Sequence, residues 1–287
     1  MAMQSTTSVA PALAPADTSA EQAQARAAAA ARKRRRQLQV LAIRFVSIFV
    51  VLAAWQIFGA QIDPILFTTP IAVVKAAAVM IASGELWTYL WPSLIVLAIG
   101  LVIAAVAGIA IGLLLARFWF LDVAFDIYIT FLYATPTVAL VPLIVLWAGF
   151  ETGAKVIILF LFAFFPMVIN TYQGVKNVDS KLLEVGRSFR CSEWQLWKNI
   201  VLPGALPFIV TGMRLALGRG LIGMVLADLY TAISGIGYLI VRTASTFQVD
   251  KMFVPIVTLG LLGVTLTALL RVAERHVAPW TTAGAED

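Results

Sequence analysis

Polar and apolar positions along the 287 residues change on the scale of whole membrane crossings. No charged residue occurs from Phe45 to Ile62, and none from Leu86 to Ala116. Each run reaches the roughly 18 to 20 residues that a helix needs to cross the hydrocarbon core. The same yardstick predicts further spans at about 127–150, 156–175, 206–227 and 252–270. The expected fold is therefore an all-α polytopic membrane protein with six transmembrane helices. One long polar interruption, 176–203, separates the fourth span from the fifth.

That interruption carries its own local grammar. Asp179 or Ser180 can cap a first short helix, and Ser192-Glu193-Trp194-Gln195 has the spacing of a capping box for a second. Cys191 and Leu196 stand at the staple positions of that box, and Pro203 is expected to limit the second helix. Leu182, Val185, Phe189, Trp194, Trp197 and Ile200 recur at spacings of three or four with a break at Arg190-Cys191. Two helices and a turn of this kind can dock into a cleft, or lie as a solvated hairpin at the interface. Outside the spans, Thr69-Pro70 reads as an N-cap and N1 pair opening a short interfacial helix that closes near Ser83-Gly84.

Two spans carry stripes of small residues, Gly100, Ala104, Gly108 and Gly112 in the second and Gly212, Ala216 and Gly220 in the fifth. Such stripes let another helix approach closely, and bundle packing explains them better than a pore. The fifth span also holds Arg214 and Arg219. An Arg costs at least about 2.5 kcal/mol near the bilayer centre, so neither is expected to face lipid. Five residues apart, they diverge by roughly 140° on a helix. At most one then lines a path, while the other snorkels or pairs with Asp122, Asp126 or Asp228.

Composition agrees with the pattern: 61% of the residues are apolar and 13% charged, and the mean hydropathy is +0.93. The formal charge of +6 points to an anionic membrane surface, not to nucleic acid. If the N-terminus is cytoplasmic, the cytoplasmic segments hold fifteen Lys and Arg, against four on the other side: Lys75, Lys155, Arg242 and Lys251. The positive-inside rule then puts both termini and the 176–203 segment in the cytoplasm. Residues 1–36 read as a disordered tail ending in Arg32-Lys33-Arg34-Arg35-Arg36, 37–278 as the membrane domain and 279–287 as a short C-terminal tail. A cleavable signal peptide is disfavoured, because the first apolar run is long and no small-residue cleavage site follows it. A lone cysteine, Cys191, and a lone histidine, His276, leave no disulfide and no Cys/His metal cluster or nucleophile pair to build an enzyme on.

Glu184-Val185-Gly186, with Arg190 three residues further, then nine residues and Ile200-Val201-Leu202-Pro203, resembles the EAA loop of ABC-importer permeases, E-A-A, three residues, G, nine residues, I-x-L-P. The stretches Pro136 to Leu143, Leu146 to Gly149, Ala163 to Pro166, Asn170 to Tyr172 and Ser234-Gly235-Ile236-Gly237-Tyr238 are similar to the nitrate/sulfonate/taurine/bicarbonate branch of that family. The resemblance covers roughly 66–279. It implies a homodimeric permease in a bacterial inner membrane. Two cytoplasmic P-loop ATPase subunits would hold ATP and Mg, and a substrate-binding protein would dock on the far side. No cofactor would belong to this chain.

Carried over residue by residue, the resemblance places Glu184, Gly186, Ile200, Leu202 and Pro203 on the family's motif, with Glu184 anchoring through charge-assisted hydrogen bonds; Val185, Arg187, Arg190, Ser192 and Trp194 of the same loop are expected to share the ATPase-coupling role. Candidate residues for a translocation path are Pro136, Ala139, Pro142, Arg214, Arg219 and Asp228, and for an outer loop or gate Ser234, Gly235 and Gly237. Two departures stand out. Val185 replaces a small residue, and Arg190 occupies the turn position of the family's Gly, where a left-handed conformation costs a non-Gly residue about 1 to 2 kcal/mol. No G-x-x-x-x-G-K-[ST] occurs, so energy is expected from a partner or an ion gradient. A secondary transporter or channel for small anions is the other reading, though no internal repeat supports it. A membrane enzyme is a third, and for it only the Asp122 and Asp126 pair offers a candidate cation site.

Overall fold

The structure, a computed structural model, describes residues 18–277, and side chains over 32–274. The described residues are helical, without strands: α1 Thr18–Gly59, α2 Pro70–Ala82, α3 Glu85–Arg117, α4 Trp119–Ala134, α5 Thr137–Ala148, α6 Thr152–Lys176, α7 Ser180–Ser188, α8 Glu193–Leu196, α9 Leu202–Thr231, α10 Ile236–Ser245 and α11 Val249–Val277. Among them, five helices are long and apolar enough to cross a membrane, and α4 with α5 makes a sixth if the bent pair is one span.

The helix α1 stands as a unit of its own. It begins at Thr18, within the segment 1–36 expected to form a tail; residues 1–17 lie outside the described residues, as does 279–287. Composition favours this early start, because Ala, Gln, Glu, Lys and Arg are strong helix formers.

In the second unit, α6 lies between α3 and α9, and the two small-residue stripes explain how. A Cβ on Gly108 would come within 2.4 Å of Met167 Cβ, and one on Gly112 within 2.7 Å of Thr171 Cβ. On the opposite flank a Cβ on Gly212 would meet Asn170 Cβ at 2.9 Å. Both stripes therefore bring a neighbour onto α6, and the core of Leu97, Ala104, Leu159, Ala163, Met167, Ala216 and Met224 forms between the three helices. Thr69 caps α2, accepting from Ala72 N, with Pro70 at N1, and α2 packs on α3 and α11.

Two spans differ from expectation. The third is not continuous: α4 and α5 meet at 94°. Pro136 has no N–H and holds Thr135 in an extended conformation (φ −68°, ψ 130°), while the Thr135 hydroxyl donates to the Phe131 carbonyl at 2.9 Å. The fifth span, conversely, is longer than predicted. Pro203 does not end the second loop helix, because a π-helical turn, Trp197–Val201, shifts the hydrogen bonding by one residue ahead of it. Leu202 N donates to Trp197 O, and Pro203 falls in the first turn of α9, where a missing N–H is tolerated. Glu193 to Thr231 thus runs as one 39-residue helical span from the polar loop into the bundle.

Candidate functional site

The polar loop is a preorganised two-helix unit. Asp179 caps α7 by accepting from Lys181 N at 2.9 Å. Its end is a Schellman motif: Cys191 N donates to Gly186 O at 3.1 Å and Arg190 N to Arg187 O at 2.9 Å. That motif needs a left-handed residue, and Arg190 supplies it at φ 54°. The predicted capping box is present, with Ser192 Oγ accepting from Gln195 N and Gln195 Oε1 from Ser192 N. Gly186 lets the two helices close, since a Cβ there would lie 2.5 Å from Leu196 Cδ2 and 2.9 Å from Ile200 Cδ1.

This packing leaves one face of α7 bare. Leu182, Val185 and Phe189 are 54%, 52% and 80% exposed, and Trp194 of α8 is 73% exposed. Glu184 is exposed, whereas Ile200, Leu202 and Pro203 are half-buried where the loop enters α9. Arg190 also faces solvent, and no side-chain partner offsets its backbone strain among the described residues. Arg190→Gly is accordingly expected to stabilise the loop by about 1 kcal/mol, read as slower amide exchange over 186–196. Unchanged or faster exchange would show that the arginine offsets its own strain.

At the other end of the bundle sits a buried polar clamp. Lys155 of α6 and Asp228 of α9 are 3% and 0% exposed and pair at 2.7 Å. Ser93 of α3 donates to the second Asp228 oxygen at 2.5 Å and accepts from Ile236 N at 2.7 Å. Lys155 Nζ also donates to the Ser234 carbonyl at 2.6 Å and hydroxyl at 3.1 Å, and Gly237 N donates to Asp228 at 3.3 Å. Gly235, at φ 99°, has no room for a Cβ, which would lie 2.2 Å from the Asp228 carboxyl. The carboxylate thus sits at the start of α10, where the helix dipole favours it. Four elements, α3, α6, α9 and the loop into α10, are tied at one point. Lys155 is therefore no loop cation, and Asp228 lines no open surface.

The fifth-span arginines find partners other than those expected. Arg214 pairs with Glu274 of α11 at 2.7 Å. Arg219 donates to Tyr133 Oη at 3.1 Å and lies over that ring at 5.0 Å. Both are exposed, as are Pro136, Ala139 and Pro142 on α5. Asp122 pairs with Lys176 at 2.9 Å, which ties α4 to the end of α6. Among the described residues, no group of three or more His, Cys, Asp or Glu is placed to hold a metal. Sequence reading missed Lys155, Ser93, Tyr133 and Glu274. The one available signal was an isolated Lys and an isolated Asp, each inside an otherwise charge-poor apolar helix.

Residues 108–282 match the family model described as "Binding-protein-dependent transport system inner membrane component". The chain belongs to this family. A putative aliphatic sulfonates transport permease protein, SsuC, of Bacillus subtilis is 34% identical over 233 residues, covering 80% of this chain and 84% of that one. SsuC of Escherichia coli is 34% identical over 239 residues, covering 81% and 89%. The formylaminopyrimidine transport permease protein ThiX of Halalkalibacterium halodurans is 31% identical over 229 residues, covering 79% and 90%. This inner-membrane component is thus a multi-pass permease of the ABC-importer type and not an enzyme: ATP hydrolysis belongs to a separate ATPase subunit, and a substrate-binding protein completes the system.

Proposed function

We propose that the chain forms, as a homodimer, the path of an importer for small anions of the sulfonate class, and that the 176–203 loop receives the work of the cytoplasmic ATPase. The observation that carries this reading is mechanical. A loop stiffened by two caps and the Gly186 contact presents an apolar face, and its second helix is continuous with α9. Displacement of the loop would then be transmitted directly along Glu193 to Thr231. The excess of Lys and Arg on the loop side supports cytoplasmic termini, and α1 would serve as the first of six spans, in a membrane domain reaching to about 278.

The substrate class follows from the two SsuC relatives and from Arg219. Its guanidinium is held over Tyr133 and exposed, and Pro136, Ala139 and Pro142 at and after the start of α5 are exposed as well; a shared surface of these residues is part of this reading. Two copies meeting on this surface would share an anion-handling path, with Arg214 held back by Glu274. In this reading Asp228 belongs to the clamp, and Ser234, Gly235 and Gly237 shape the outer loop around it.

Proteoliposomes holding the permease, its ATPase and its binding protein provide the test. Uptake of a labelled alkanesulfonate is expected to require ATP on the ATPase side and the binding protein on the other. Arg219→Gln is expected to lower uptake at least about 10-fold with assembly intact, the loss of one charge-assisted contact. Uptake driven by an ion gradient without ATP would establish the secondary-transporter reading instead.

A further inference from the structure

Where the two-helix loop meets the bundle, a cleft of roughly 340 Å³ opens between the ends of α3 and α6 and the inner side of α7. Its lining carries Arg117, Lys176 and Arg187 with the acid Glu193, and because Asp122 sits on Lys176 the formal excess is one positive charge, that of Arg187. Arg117 is bound to Glu193 at 3.0 Å and lies over Trp197 at 5.6 Å. Lys176 is bound to Asp122 at 2.9 Å. Arg187 has no ion pair among the described residues. The walls are apolar, with Leu183 and Leu196 among them.

Depth decides what such a cleft can hold. Arg117 and Lys176 are the last residues of two helices long and apolar enough to cross a membrane, so a bilayer spanned by both would put the cleft at the level of its headgroups. A cationic rim above apolar walls at that depth matches an amphiphile with an oxyanion head. A free phosphate or sulfate would leave the walls unused, and a zwitterionic headgroup would carry its own cation into a positive rim. We propose that this cleft binds the phosphodiester headgroup of an anionic phospholipid, with Arg187 as the unpaired donor and the glycerol end of the acyl chains against the apolar wall.

The geometry of α7 gives the site a consequence. Ser180, Leu183 and Arg187 face the cleft, whereas Leu182, Val185 and Phe189 point about 180° away at 100° per residue. A bound headgroup would pin the helix to the ends of α3 and α6 and leave its apolar face free. This consequence rests on the coupling role proposed above; the binding site does not.

Native mass spectrometry of the full-length permease in neutral detergent, titrated with phosphatidylglycerol, tests the binding. Arg187→Gln is expected to weaken phosphatidylglycerol binding about 10-fold, Arg187→Lys to restore part of it, and phosphatidylcholine to bind no better to wild type than to Arg187→Gln. Inorganic phosphate at 20 mM is expected not to displace the lipid. Equal phosphatidylglycerol binding by wild type and Arg187→Gln would overturn the site, leaving only annular lipid. Full displacement by inorganic phosphate would overturn the lipid assignment in favour of a free oxyanion. Because Arg187 is exposed and outside every ion pair, an unchanged unfolding temperature of Arg187→Gln in detergent serves as the folding control. Because the titration uses the permease without its ATPase, it reads this site apart from the coupling contact, in which Arg187 also stands.

Discussion

Lys155→Met is expected to destabilise the bundle by about 3 to 5 kcal/mol, the cost of removing one partner from a buried ion pair. Asp228 would remain at zero exposure with its carboxylate facing Ser93, the Gly237 amide and a hole where Nζ had been. The Ser234 carbonyl loses its donor as well, so the loop into α10 is released together with the helix pair. The double variant Lys155→Met/Asp228→Leu is expected to recover much of the loss, since apolar pairs of similar volume often replace buried ion pairs at little cost. Unfolding followed by tryptophan fluorescence in nanodiscs would read both. A single variant within about 0.5 kcal/mol of wild type, the range of ordinary surface changes, would mean that water reaches the clamp.

The second large effect is expected at Phe189→Asp. Phe189, Leu182 and Val185 form an apolar face of α7, Trp194 of α8 is exposed besides, and large aromatic residues of this kind dominate interfaces. Placing a carboxylate in the middle of that face is expected to weaken ATPase binding by at least about 30-fold, equivalent to about 2 kcal/mol. The change lies at an exposed helix end, so the fold should be retained within about 0.5 kcal/mol. Co-purification of the ATPase with wild type and its loss with Phe189→Asp is the expected outcome. Equal recovery with both would assign the face to the lipid interface.

Much of the architecture was legible because the signals are local. Charge-free runs located the spans, Thr69-Pro70 opened α2, and Ser192 with Gln195 announced a capping box, each within a few residues of chain. The break between α4 and α5 was harder to see, since both halves are apolar and only the conformation of Thr135 before Pro136 separates them. Pro203 misled for the opposite reason: a π turn upstream absorbed it, which hydropathy does not record. The clamp lay beyond reach because its partners are 73 and 135 residues apart in sequence. Arg214 and Glu274, 60 residues apart, meet for the same reason, through the packing of α9 on α11. The place of Arg190 at the family's Gly position raises the question whether the turn is left-handed there, and its φ of 54° answers that it is.

The claim at the centre of the account is that the loop between α6 and α9 is where the ATPase engages the permease. Hydrogen exchange of the permease, alone and in a complex whose formation is proven by co-elution, addresses it at single-segment resolution. New protection concentrated in residues 180–196, extending along the start of α9, is the predicted result. Unchanged exchange across 180–196 in the intact complex, with protection elsewhere, would contradict it.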